Sequence, residues 1–295
     1  MVMNIVMRIF LMSAVLLCVA CGQTPEKTQE TPQDAKQASG EQGGQYPPKD
    51  KAAQKAVSLS MDEISAAKEQ YLVPSPGEIL SALDKLDRVA WSQLASYDTK
   101  ADYDDKYVRA LNLGVRVADA FMAVNARDAS KFGEMSTIVF DLAREIGLGD
   151  VLEGKRSELD NLAAEGRWDE LRAALDNVQN DVRQEVKAMG ESELIVLASI
   201  GGWMEGLRVV SAHLKDNYAA EKAELLKQAR LIDYFLTEIS EMPAEVQAHP
   251  TVEAAQATLS ELAPLLGTEA GVGATETVQM HRITDQLVST IEQGT

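Results

Sequence analysis

Two stretches of this chain, residues 107–126 (YVRALNLGVRVADAFMAVNA) and 194–214 (LIVLASIGGWMEGLRVVSAHL), are apolar around most of a helical circumference, so any fold must bury both. In the first, Arg109, Asn112, Arg116 and Asp119 recur every three or four positions and share one narrow face. In the second, Glu205 and Arg208 lie one turn apart. Ala198, Gly202 and Gly206 form a ridge at spacing four, along which another backbone can approach closely. Both segments read as central helices.

The rest of residues 57–295 has the same period. Apolar side chains recur at spacings of three and four, and no run alternates cleanly with period two. Ser75, Pro76 and Glu78 form a cap, a pre-set first turn and a capping-box acid for a helix carrying Ile79, Leu80 and Leu83. Asp104 or Asp105 caps the helix carrying Tyr107 to Asn125. Asp128 opens another, with Phe132, Met135, Val139, Leu142 and Ile146 on one face until Gly147. Asp150 with Glu153 restarts the chain and Gly166 stops it. Further helices are expected over 168–189, 194–214, 221–242, 251–266 and 275–291, punctuated by Pro243 and Pro250. Long helices joined by short turns predict an all-α fold, either an antiparallel helical bundle or an irregular stack of helical hairpins. Residues 110–148 are similar to a tetratricopeptide pair at Leu113 and Gly114, but the later small and aromatic positions of that motif do not align.

Ahead of this domain the pattern changes. Arg8 is followed by the mostly apolar run from Ile9 to Val19 and then by Ala20 and Cys21. That run is too short and too sharply terminated for a membrane-spanning helix. Leu17, Cys18, Val19, Ala20 and Cys21 resemble the lipobox of bacterial lipoprotein signals, with Cys18 standing where leucine is usual. The resemblance implies a signal peptide over 1–20 and a diacylglyceryl-modified, palmitate-bearing Cys21 as the mature amino terminus. Gly22, rather than aspartate, follows, which implies outer-membrane sorting. Met7, directly before Arg8, offers an alternative start to Met1 or Met3. Several acyl chains hold a protein stably where one holds it only reversibly.

Residues 22–56 contain Gln, Pro, Glu, Lys, Gly and Ser and almost no large aliphatic side chains, a composition that cannot offset the cost of ordering. With Cys21 they read as a disordered tether over 21–56, whose random-coil span is roughly 30–35 Å. With Cys18 lost and Cys21 acylated, neither of the two cysteines is left for a disulfide or a thiolate metal site.

The formal charge of −18 becomes −19 without Arg8, the one charged residue among the first twenty. Nucleic acid needs clustered Lys and Arg, and anionic lipid likewise, so neither is an expected partner. Catalytic motifs fail on inspection. Gly149, Gly154 and Lys155 match most of a phosphate loop, but Arg156 replaces its hydroxyl residue and the preceding FDLAREI is helical. Gly271 and Gly273 lack the third glycine of a dinucleotide fingerprint. His213, His249 and His281 have no metal-binding companions at helical spacing. Asp98, Asp102, Asp104 and Asp105 lack the order and turning glycine of a calcium loop. No cofactor is expected, and no enzyme activity.

Two arrangements fit the polar stripes. In one they are solvated edges of core helices, with Glu205 pairing locally with Arg208. In the other, Arg109, Asn112, Arg116, Asp119, Glu205 and Arg208 line a cleft walled by Trp203 and Met204, and surplus arginine receives an anionic head or carboxylate. The sequence as a whole reads as a lipid-anchored, periplasm-facing interaction module whose partner is an envelope protein. The alternative is a carrier for an apolar or amphiphilic small molecule, expected if the two apolar helices enclose a sizeable cavity. Segments ALNLGVRVADAF and IGGWMEGL resemble helical lipoproteins of bacteria in a general way, which implies a class and no activity.

Overall fold

The structure of the chain, a computed structural model, describes residues 81–86, 89–266 and 271–294. All of them belong to one compact unit, Ser58–Thr295. The expected signal peptide, Cys21, the tether and the helix opening at Ser75 lie outside the described residues.

Eight helices of ten residues or more occur among the described residues: α1 Lys106–Ala126, α2 Ala129–Glu145, α3 Lys155–Ala164, α4 Trp168–Met189, α5 Ser192–Asp216, α6 Ala229–Glu241, α7 Pro250–Leu266 and α8 Ala274–Gln293. The fold is all-α. Asp105 caps α1, its carboxylate accepting from the Tyr107 and Val108 amides at 2.8 and 2.9 Å. Asp128 caps α2 through the Lys131 amide. Only Arg127 and Asp128 separate α1 from α2, so the chain doubles back as a hairpin. Phe132, Met135 and Leu142 on α2, and Ile146 at its C-terminal cap, are buried as their spacing predicts, while Val139 is half-buried.

Two expected helices are subdivided. Asp150 and Glu153 delimit a single turn, Gly149–Leu152, and α3 starts only after Gly154, which takes the left-handed backbone that favours glycine (φ +81°). The expected helix over 221–242 is split into Ala220–Ala223, a 3₁₀ turn Glu224–Leu226, and α6. The break is made by Gln228, whose side chain donates to the Leu225 carbonyl at 3.0 Å and accepts from the Trp203 indole at 2.9 Å. Such side-chain bonds compete with the helical ladder, and they let Leu226 turn into the core.

α5 is the central element. It packs most extensively on α1 and next on α8, while α1 also packs on α2. Lys106 meets Glu191 at the start of both α1 and α5, and Leu111 and Gly114 meet Gly201, Ala198 and Gly202 further along, so α1 and α5 run in the same direction. Against α8 the order reverses: Arg208 faces Asp285, and Lys215 lies near His281. The expected close approach occurs between α1 and α5. A methyl group on Gly114 would overlap the Ala198 carbonyl, one on Gly201 would overlap the Leu111 carbonyl, and one on Gly202 would sit 3.1 Å from the Gly114 carbonyl oxygen. Gly206 takes no part, since a methyl there would meet nothing within 4 Å. Gly114 thus serves contact with α5 rather than with its hairpin partner α2.

By length and composition α5 is apolar enough to cross a membrane, but most of its apolar window is covered by protein. A second, smaller apolar cluster joins α1 to α4 through Phe121, Val124, Phe132, Met135, Leu159 and Leu171.

Candidate functional site

The polar stripes of α1 and α5 converge, but neither as a solvated edge nor as an open cleft. Arg116, Asp119 and Glu205 have no solvent-exposed side-chain surface, and Arg208 retains 12%. Arg116 donates to Asp119 at 2.7 Å and to Glu292 of α8 at 2.6 Å. Arg208 grips both oxygens of Glu205, at 2.6 and 2.7 Å. Each core carboxyl therefore has its own guanidinium, the arrangement that makes burial of an ion pair tolerable.

Residues 94–98 close the cluster from outside. The Leu94 carbonyl accepts from Arg208 at 2.8 Å. The Ser96 amide and hydroxyl donate to Asp119 at 3.2 and 3.1 Å, and the hydroxyl also accepts from Arg116 and is bonded to Glu292 at 2.6 Å. Asp98 lies 3.6 Å from Arg116. Tyr97 packs against the second apolar cluster with a positive φ of 47°, a conformation that costs a non-glycine residue free energy.

Asp119 and Glu205 also act on one another electrostatically inside the cluster. Burial pushes Glu205 up to about 8, with the Arg208 bonds pulling the other way and the Asp119 charge adding to the rise. Burial also raises Asp119, against the opposing pull of Arg116. For the arginines, burial alone would lower the pKa. The Asp119 and Glu292 charges outweigh it at Arg116, and the Glu205 bonds do so at Arg208, so both stay firmly charged.

The remaining expected site residues lie elsewhere. Arg109 is engaged by backbone, donating to the Tyr103 carbonyl and, at 3.2 Å, to that of Glu145. Asn112 is buried, donating to Val108 and Ile291 carbonyls at 3.0 and 2.7 Å and accepting from the Tyr103 hydroxyl. Trp203 is no wall of this cluster: its indole bonds Gln228 and its ring tilts against Phe235, 5.8 Å between centroids. Met204 is fully buried core. Nor is there an arginine surplus, because Arg116 and Arg208 face Asp119, Glu205, Glu292, Asp98 and Asp285. The centre neutralises its own cations and leaves none for an anionic ligand.

Other candidates resolve into local roles. Lys155 of the partial phosphate loop pairs with Asp181 at 3.0 Å. His249 lies 3.3 Å from Asp105 and edge-on to Tyr107. Burial lowers His213 and His281, which favours their neutral forms. No cluster of metal-ligating residues occurs among the described residues. An open groove of about 530 Å³ runs between α3 and α4, lined by Glu158, Asn161, Leu162, Glu165, Arg167 and Glu170 among others. No family model matches the chain, and neither a curated protein nor a solved structure is significantly similar to it.

Proposed function

We propose that the chain is a lipid-anchored helical interaction module of the bacterial cell envelope, tethered at Cys21, facing the periplasm from the outer membrane and engaging an envelope protein. The observation that carries this reading is the sequence from Arg8 to Cys21, a basic residue and a short apolar run ending at a lipobox-like cysteine. The strongly acidic composition supports attachment through acyl chains rather than through basic contacts to lipid. The contact between α1 and α5 weighs for a protein partner over a carried small molecule. A carrier needs room between its apolar helices, and here the two backbones touch at Gly114 and Gly201.

The test is metabolic labelling of the full chain with palmitate in a Gram-negative host. Membrane-associated label that disappears in Cys21→Ser sustains the reading. An unlabelled, soluble protein that retains residues 1–20 overturns it. Native mass spectrometry after gentle extraction then distinguishes a bound polypeptide from a bound small molecule.

A further inference from the structure

The groove between α3 and α4 is built from two matching stripes. Glu158, Asn161, Leu162 and Glu165 line it from α3, and Glu170, Ala173, Ala174 and Asn177 line it from α4. Both sets follow the spacing i, i+3, i+4, i+7, so each is a single face of its helix and both faces turn toward the same trough. The chain reverses between them at Gly166, which takes the left-handed backbone (φ +70°). Arg167 bonds both Glu165 and Glu170 and so ties the two helices together at that end. From behind, Leu159 and Leu171 are buried in the core and Arg172 holds Asp84 and Asn125. The walls are anchored.

The middle of the trough is apolar, formed by Leu162 and the two alanines, while its ends are acidic. Glu158 stands at one end. At the other, Arg167 offsets one of the two carboxylates it bonds, so a single negative charge is left there too. The side chains of Glu158, Asn161 and Asn177 have no hydrogen-bond partner among the described residues, and all three are exposed. A carboxamide offers both a donor and an acceptor, as a peptide group does. The two asparagines are thus free to bond a main chain laid between the helices.

We propose that this groove receives an extended segment of a partner protein in which two basic side chains stand three residues apart with small residues between them. From Glu158 to Glu165 the helix rises about 10 Å. In a polyproline-type chain, residues i and i+3 project to the same side about 9 Å apart. One cation therefore meets Glu158 and the next meets the end held by Glu165 and Glu170, while the small residues pass over Ala173 and Ala174. Other occupants fit less well. Arg167 is already bonded and offers nothing to an anion. A second copy of this chain, with a formal charge of −18, is repelled by acidic ends. An apolar small molecule finds no enclosure in an open trough.

The test is an NMR titration of the full chain in non-ionic detergent, labelled with nitrogen-15 at asparagine, against acetyl-Lys-Ala-Pro-Lys-amide at low salt. The side-chain amide signals of Asn161 and Asn177 should move together and saturate. The isomer acetyl-Lys-Lys-Ala-Pro-amide has the same charge but cannot span the trough, and should bind about fivefold more weakly, the loss of one exposed ion pair. Glu158→Gln should weaken the first peptide by about the same factor. It leaves the fold intact, since Glu158 is exposed and unbonded. Glu253→Gln, which removes an exposed charge from α7 outside the groove, should change nothing. Asparagine signals that stay still, equal affinity for the two peptides, or equal weakening by Glu158→Gln and Glu253→Gln would each overturn the proposal. It rests on the reading of the chain as a protein-binding module but not on its lipid anchor. Binding by a chain that proves unacylated therefore sustains the groove, and absence of binding by an acylated chain removes the groove alone.

Discussion

Two neighbourhoods of this molecule use the same chemistry with opposite consequences. Between α3 and α4, Arg167 sits with Glu165 at 2.9 Å and with Glu170, all three side chains about half exposed. Between α1, α5 and α8, Arg116 and Arg208 hold Asp119, Glu205 and Glu292 at similar range, 2.6–2.7 Å, almost without solvent. In the first place water competes with every bond, and the pairs contribute little to folding. In the second nothing replaces a lost partner, so a vacancy leaves an uncompensated charge in the core. Environment, not residue type, separates a surface ornament from a structural keystone.

The contrast predicts a ranked series of mutational effects. The largest should come from Gly114→Val, since a branched side chain must displace the backbone of α5 at Ala198 and Gly202. Loss of cooperative unfolding by circular dichroism is expected, and a variant with wild-type Tm would break the account of the α1–α5 contact. Next, Arg116→Ala should cost about 3–5 kcal/mol in denaturant unfolding by stranding Asp119. A cost below about 1 kcal/mol would show that the buried centre behaves like the exposed one. Asp105→Ala should cost about 1 kcal/mol by removing the cap of α1. Arg167→Ala should leave the Tm unchanged within measurement scatter.

A pH series sharpens the same comparison. Glu205 has a folded-state pKa near 8, above its ordinary value of 4.5, so the folded state binds the extra proton between those limits. Its contribution is complete below about pH 4.5 and is lost as pH rises through about 8. Wild-type Tm should therefore fall over this interval, and Glu205→Gln should flatten the fall. A parallel decline in both proteins would remove Glu205 as its cause.

Much of the architecture was legible in the sequence because it depends on local periodicity and caps. The bounds of α4 at Trp168 and Met189 and the caps Asp105 and Asp128 follow from neighbouring residues. The break at Gln228 was not legible, since no glycine or proline marks it and its cause is a bond to Trp203, 25 residues away. The site was half legible. Spacing placed Arg116 with Asp119 and Glu205 with Arg208, but it could not show that the two stripes meet in the interior. Ser96 and Glu292 carried no signal and Asp98 only that of a failed calcium loop, because an aperiodic acidic stretch and the end of the last helix join α1 only through contacts up to 176 residues apart. Arg109, Asn112 and Trp203 share helices with the centre yet face other partners, a matter of rotation angle rather than of spacing.

The seam at Gly114, Gly201 and Gly202 reaches further than stability. Where two main chains touch without side chains between them, divergence can change nearly every other position and still be forced to keep those three small. A pair of glycine-marked apolar segments, one carrying Arg and Asp three apart and the other Glu and Arg three apart, is thus a fingerprint by which distant kin of this chain could be found after overall similarity has decayed.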